Sequence, residues 1–309
     1  MTPDLSTTLG RLRLPSPLLA AAGTVGYGLE FLPYLRREHL GAVVLKTLTV
    51  QPRTGHPPPR LVETPSGMLN CVGLQNMGIT AFVREQWPAV RTCGLPCIVS
   101  VLGETLEEWD QLLQAVSRLE GVTAVELNLS CPNLPHAGTP RPALVAHDAD
   151  TTRRVLQRAR AAVPMLPLLA KLTPDVTEIV PIAQAAADGG ADAVVIGNTY
   201  TGMAIDVGRR RSKLALPTGG LSGPAIRPLT LRRVWEVARR TPIPVIGAGG
   251  IMRAEDALEY LIAGAAAVEI GTAHWTNPRA AARIATGLTA YLIRHRMTRI
   301  RDLIGTFQN

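Results

Sequence analysis

Six consecutive residues, Asn128-Leu129-Ser130-Cys131-Pro132-Asn133, put a thiol between two amides where an apolar run ends. Val125, Leu127 and Leu129 alternate with Ala124 and Glu126, the pattern of a strand. Pro132 ends that strand, because it has no N–H to donate and fixes its own φ. Cys93 and Cys97 read as small core hydrophobes, the ordinary state of a free cysteine. Cys131 differs, since polar groups surround it at a strand-to-loop junction. A thiolate there could serve as nucleophile or as general base. No histidine is placed by the sequence to activate it, although His136 and His147 follow in the next loop.

Two cations and several amides belong with it. Lys46 and Lys171 each end an apolar run, and a lysine is rarely buried without a partner. Each reads either as a structural ion pair or as a cation facing a pocket. Asn70, Asn76, Asn128, Asn133 and Asn198 fall at strand ends or in long loops. One such asparagine is usually a turn residue; five around one rim suit a ligand with several amide and carbonyl groups. Glycine turns recur late in the chain at Gly219-Gly220-Leu221-Ser222-Gly223, Gly247-Ala248-Gly249-Gly250 and Gly271-Thr272. Glycine lets backbone N–H groups approach an oxyanion, and a helix starting just after adds its dipole.

The elements that must position these groups are short apolar strands alternating with longer helical runs. Strands are expected at residues 18–22, 42–46, 97–101, 124–129, 168–172, 193–196, 244–247 and 267–270. They are apolar on both sides, as strands covered on both faces should be. Helices are expected at 105–119, 150–163, 176–188, 229–240 and 254–263. Thr105 and Glu108 have capping-box spacing. Eight strands each followed by a helix or an excursion predict a (β/α)8 barrel, an α/β fold, over a doubly wound sheet, because no G-x-G-x-x-G follows the first strand. Barrel chemistry sits at the C-terminal ends of the strands, with phosphate commonly held after strands seven and eight. Gly249, Gly250, Gly271 and Thr272 are expected there. Three long connections, 47–80, 132–148 and 199–226, leave strand C-termini and gather over that face; the first is expected to hold a small hairpin and the second to act as a lid.

Composition narrows the function classes. The chain has 309 residues, is 46% hydrophobic and only 4% aromatic, and carries a formal charge of +8. Much of the basic excess lies in Arg209–Lys213 and in the tail from Arg294 to Arg301, neither interleaved with stacking aromatics. An anionic ligand or a partner surface therefore explains it better than nucleic acid. The four cysteines lack zinc or cluster spacing, so no metal site is expected in this chain. No secretory signal or membrane span is evident, and a cytoplasmic protein with reduced thiols is expected.

Taken together, these residues resemble the dihydroorotate dehydrogenases, flavin enzymes of pyrimidine synthesis, over nearly the whole chain. Asn70-Cys71-Val72-Gly73-Leu74-Gln75-Asn76 is similar to the family's N-x-x-G-L-x-N loop, and the segment from Leu127 to Asn133 matches the catalytic-base segment almost letter for letter. The resemblance implies a single FMN-binding barrel domain over residues 1–309 that oxidises dihydroorotate to orotate. It makes Cys131 the catalytic base. Substrate contacts are implied at Lys46, Asn70, Val72, Gly73, Leu74, Asn128, Asn133, Asn198 and Thr199. FMN contacts are implied at Ala22, Gly23, Lys46, Thr47, Ser100, Asn128, Lys171, Gly197 and Gly223, with Gly249, Gly250, Gly271 and Thr272 chiefly toward its phosphate.

A cysteine base and no N-terminal membrane-associating extension look like class 1. The runs from Leu74 to Asn76, Asn198 to Asp206 and Gly219 to Ala225 resemble the NAD-linked class 1B catalytic subunit. That subunit forms a homodimer within a heterotetramer, passing electrons to NAD+ through a separate chain that carries FAD and a [2Fe–2S] cluster. A fumarate-linked class 1A enzyme and a dihydropyrimidine dehydrogenase-type flavin enzyme are the alternatives; Asn133 after Cys-Pro argues against the latter. Three departures stand out: Ala22 where the family often has serine, Ser100 where class 1B often has asparagine, and a Pro-rich segment after Asn133.

Overall fold

Strands that are apolar on both faces must be covered on both faces, and a closed barrel does this for eight of them at once. Parallel strands β1 (Leu18–Ala20), β2 (Ala42–Val44), β3 (Cys97–Val101), β4 (Val122–Asn128), β5 (Leu168–Leu172), β6 (Ala193–Ile196), β7 (Val245–Ala248) and β8 (Ala267–Ile270) pair in that order, and β8 returns to β1. The computed structural model describes residues 2–130 and 145–308. The expected (β/α)8 barrel is the observed fold. The ladders of β1 and β2 stop two residues earlier than expected, because the chain peels off there to line the mouth; Lys46 donates its backbone N–H to Gly26 rather than to a neighbouring strand.

Alternation along each strand divides the apolar residues into two cores. Val99, Val125, Leu127, Leu168, Leu172, Val194 and Val268 point outward, into the layer beneath the helices. Leu19, Ala42, Val44, Ile98, Ala124, Leu169, Val195 and Ile246 point inward and fill the barrel. The helices meet the outer layer through stripes at helical spacing. Helix Leu106–Ser117 buries Trp109, Leu112, Leu113 and Val116, and Ala149–Ala162 buries Thr152, Val155, Leu156 and Ala159. Thr105 caps the first by accepting from the Glu108 N–H at 3.2 Å. The Glu108 carboxylate accepts from Glu104 rather than Thr105, so the reciprocal half of the box is displaced by one residue. Asp148 caps the second through Thr151 N–H at 2.7 Å. The helical stretch built of Ile79–Ala81, Phe82–Gln86 and Trp87–Val90 follows β2, helices Val180–Asp188, Arg227–Arg240, Ala254–Ile262 and Ala280–Arg294 complete the outer ring, and a single turn, Leu29–Phe31, stands where the first helix would be.

The two ends of the barrel are finished differently. An antiparallel ribbon, Thr7–Leu9 with Leu12–Leu14, precedes the first barrel strand and lays Leu9, Leu12 and Leu14 against the inward apolar residues. At the opposite end, two of the long connections pair with one another. Leu61–Thr64 and Gly67–Asn70 form the expected hairpin, and Gly67–Asn70 also pairs with Gly219–Ser222, which pairs with Tyr200–Gly202. The expected lid, 132–148, lies almost wholly outside the described residues.

Candidate active site

The inward positions change character toward the strand C-termini. Ser100, Glu126, Lys171 and Glu269 continue the faces that lower down carry Ile98, Ala124, Leu169 and Ala267. Above this layer opens a cavity of about 340 Å³. Ala22, Gly23, Lys46 and Thr47 line it from the ends of β1 and β2, Asn128 and Lys171 from β4 and β5, and Gly197, Asn198 and Thr199 from the end of β6. The hairpin sheet adds Asn70, Val72, Gly73 and Leu74. Leu74 holds φ +55°, and Gly73 φ +75° beside His56, so this turn is bent sharply into the mouth.

The glycine turns form one wall. Gly223, Gly249, Gly250, Gly271 and Thr272 all line the cavity. Gly250 has φ +69°, and a Cβ there would sit 2.7 Å from Arg227 Cβ and 2.9 Å from the Gly223 carbonyl. Only glycine leaves this approach open. Tyr260 Oη donates to the Gly249 carbonyl at 2.8 Å, and Thr272 Oγ1 donates to Ser222 Oγ at 2.8 Å. Asp256 is buried, pairs with Arg227, and accepts from the N–H groups of Met252 and Arg253 at 2.8 and 3.1 Å. The turn after β7 is thus braced from behind. Buried His274, just past β8, has its pKa lowered to about 4, chiefly because burial penalises the imidazolium.

The amides do two kinds of work. Asn128 Nδ2 donates to Thr47 Oγ1 at 3.2 Å, and its Oδ1 accepts from Ser130 N and Oγ at 3.2 and 3.1 Å. Asn198 Nδ2 donates to Ser130 O and Oγ at 3.0 and 2.7 Å. Ser130, fully buried, is therefore gripped from both sides. Asn76 does not line the cavity. It is buried and ties two loops together, accepting from the N–H groups of Thr49 and Gly78 at 3.2 and 2.8 Å and donating to Leu74 O at 2.9 Å. Cys131 and Asn133 lie outside the described residues, as does His136.

Ser100 is the expected contact that the structure moves. It is fully buried and does not line the cavity; its hydroxyl bonds Thr47 Oγ1 at 2.9 Å and donates to Glu126 Oε1 at 2.8 Å. The reason is its side of the strand and its depth: it points inward, but Thr47 lies between it and the opening. Lys171 resolves its two readings by satisfying both. Its ammonium donates to Glu269 Oε2 at 2.6 Å, lies 3.8 Å from Glu126 Oε2, and still faces the cavity. Burial acts to lower the Lys171 pKa, but the two carboxylates outweigh it and the net shift is upward. Glu126 is shifted upward, first by burial and further by the neighbouring Glu269, against the pull of Lys171.

Sequence reasoning missed Glu126, Glu269 and Ser130 as parts of the site. A glutamate inside the apolar strand Ala267–Ile270 was itself the available signal, since such a side chain must be paired or protonated. Met252 and Trp275 also line the cavity without any local pattern that marks them, and Ser222 does so from within the glycine turn 219–223. Arg209, Arg210 and Arg211 fall on an exposed hairpin, Ile205–Asp206 with Arg211–Ser212, away from the cavity lining.

Comparison with known proteins shows the family. A model of the dihydroorotate dehydrogenase family matches residues 4–292. The chain is 47% identical over 303 residues to the protein named dihydroorotate dehydrogenase B (NAD(+)), catalytic subunit, of Geotalea uraniireducens (strain Rf4), covering 98% of each. Proteins of the same name from Geobacter sulfurreducens, 46% identical over 99% of each chain, and from Trichlorobacter lovleyi, 47% identical over 100% of each, are similar to it throughout. Among the described residues no helix is long and apolar enough to cross a membrane.

Proposed function

Because this chain belongs to the dihydroorotate dehydrogenase family, we propose that its cavity is the FMN and substrate site of an NAD(+)-linked enzyme that oxidises dihydroorotate to orotate in pyrimidine synthesis. The observation that carries this reading is the composition of one cavity. A glycine wall after β7 and β8, two lysines and three amides converge over the mouth of a single barrel. The residues present fit a phosphorylated flavin. Gly249, Gly250, Gly271 and Thr272 would hold the phosphate, with Gly249 and Gly250 in backbone at φ +154° and +69° that favours glycine, and Lys46, Thr47, Asn128 and Lys171 would hold the ring. Ala22, Gly23, Gly197 and Gly223 complete the flavin-side wall. Asn70, Val72, Gly73, Leu74, Asn198 and Thr199 would bind the substrate, joined by Asn133.

Bound FMN supplies the hydride acceptor. The chain supplies the rest. Cys131, as thiolate, takes the proton from C5 of dihydroorotate; it acts as a base and forms no bond to carbon. The chain reaches Cys131 directly from Ser130, whose peptide and hydroxyl are held by Asn128 and Asn198. Lys46, whose ammonium lies near Gly23 at the cavity wall, places positive charge where the substrate carboxylate and the reduced cofactor need it. The asparagines fix ring orientation, which is where proximity gains arise.

Electrons then leave toward NAD+ through a separate subunit, in keeping with the words "catalytic subunit" in the names of the relatives. We assign FAD and a [2Fe–2S] cluster to that partner, a homodimer to this chain, and the cytoplasm as its location. The exposed hairpin carrying Arg209 to Arg211 offers one basic surface to a partner. The test is direct. The purified protein should be yellow and should bleach when dihydroorotate is added without oxygen. Cys131→Ala should abolish bleaching, and Cys131→Ser should bleach slowly and recover at higher pH, because serine is the weaker acid. A colourless protein that takes up no FMN sinks the cavity assignment, and full bleaching by Cys131→Ala removes Cys131 from the chemistry.

A further inference from the structure

Beneath the cavity floor two carboxylates face one ammonium. Glu126 from β4 and Glu269 from β8 are fully buried, and Lys171 from β5 is nearly so. Their contacts are unequal. Lys171 Nζ donates to Glu269 Oε2 at 2.6 Å but stands 3.8 Å from Glu126 Oε2, in ion-pair range and beyond a hydrogen bond. Glu126 Oε1 is taken by Ser100 Oγ at 2.8 Å. That leaves one buried oxygen on each carboxylate, Glu126 Oε2 and Glu269 Oε1, with no hydrogen-bond partner among the described residues.

The hydrogen bonds behind Glu126 have one consistent direction. Ser100 commits its single hydroxyl proton to Glu126, so Thr47 must donate to Ser100, and Asn128 Nδ2 donates to Thr47. With Ser100 donating to Glu126 Oε1, the orphan Oε2 is the oxygen left to carry a proton. Two ionised carboxylates cannot satisfy one another, whereas one proton turns the two orphan oxygens into a donor and an acceptor. Buried charge without that proton would be uncompensated by one unit.

We propose that Glu126 carries a proton at neutral pH and shares it with Glu269, so that Lys171, Glu269 and Glu126 form an electrically neutral triad under the cavity. The charged and titratable groups that face Glu126 are Lys171 from β5 and Glu269 from β8; β3 presents only the Ser100 hydroxyl, and Lys46 is the further cation on the same cavity. Burial of Glu126 and its carboxylate neighbour both favour the protonated form. The triad is a positioning device. It keeps Lys171 cationic and fixed in the cavity wall, and its proton sets how much negative charge lies below a bound ring. That last consequence rests on the flavin reading above; the proton itself does not.

The experiment tracks the proton. Infrared spectra of the protein at pH 7, with and without carbon-13 glutamate, should contain a protonated-carboxyl C=O stretch that Glu126→Gln removes. Folding would take up this proton, since Glu126 ionises near its ordinary value of 4.5 in the unfolded chain. Its contribution to stability is therefore fully present below that value and is lost as pH rises toward the folded pKa. In that interval the folding constant of the wild type relative to Glu126→Gln should fall about tenfold per pH unit in urea titrations. Glu269→Gln should remove the same slope, because Glu126 then pairs with Lys171 as a plain ion pair, and it serves if Glu126→Gln does not fold. Absence of the C=O stretch in the wild type, or a slope unchanged in both variants, overturns the proposal. FMN titrations separate the two readings. Affinity should fall with rising pH in the wild type and not in Glu126→Gln, whereas a protein that takes up no FMN at any pH fails the cavity assignment while the infrared and urea results still decide the triad.

Discussion

At the lower end of the barrel, Leu9, Leu12 and Leu14 of the N-terminal ribbon press against Leu19, Ile98, Leu169 and Ile246. Two residues further along the same strands, the same inward direction carries Ser100 instead of Ile98, Glu126 instead of Ala124, and Lys171 instead of Leu169. One strand alternation thus serves two purposes. The lower layer gains stability by excluding water from apolar surface. The upper layer forgoes that gain and holds buried charge, which is costly unless each group is paired. Chemistry is placed at one end of a scaffold whose other end secures the fold.

Removing one charge from the upper layer is the harshest test of this division. Lys171→Met deprives two buried carboxylates of their cation and should cost about 3–5 kcal/mol in urea unfolding at pH 7. FMN uptake should be lost with it. The contrasting change, Leu19→Ala, should cost about 3 kcal/mol through lost burial and a residual cavity. The folded fraction should still bind FMN with unchanged affinity. If Leu19→Ala weakens FMN as much as Lys171→Met does, the two ends are not separable.

A gentler probe uses pH. The His274 pKa is lowered to about 4 in the fold, while the unfolded chain would bind a proton near 6.5. Its contribution is fully present above 6.5 and is lost as pH falls, by about 1.4 kcal/mol per unit between 6.5 and 4. His274→Gln should flatten that limb of the stability profile; an unchanged limb would mean another group carries it. The smallest effect is expected from Tyr260→Phe, which takes one donor from the Gly249 carbonyl. A single hydrogen bond is worth about 1 kcal/mol, so urea unfolding should show a loss of about that size, with a severalfold weaker FMN affinity at most.

The barrel was legible because its cause is local. Runs such as Cys97–Val101 and Leu168–Leu172 are apolar on both sides, and glycine or proline marks their ends. The glycine wall was legible for the same reason: two turns after adjacent strands carry the residues that close approach requires. The buried triad was not, because Glu269 and Lys171 stand 98 residues apart and meet only across the closed barrel. Asn76 and Ser100 were misplaced for a related reason. Residue type and strand position say which way a side chain points, but not whether another, here Thr47, lies between it and the opening. Ser130 was overlooked because a serine beside a cysteine draws no notice until its two asparagine partners are in place.

The ribbon that seals the lower end also has a kinetic meaning. Among the described residues, Leu9, Leu12 and Leu14 pack into the floor and close the lower end of the barrel. On the proposed flavin reading, cofactor and substrate approach the cavity from the side opposite that floor, and the molecule seated deeper leaves only after the one above it.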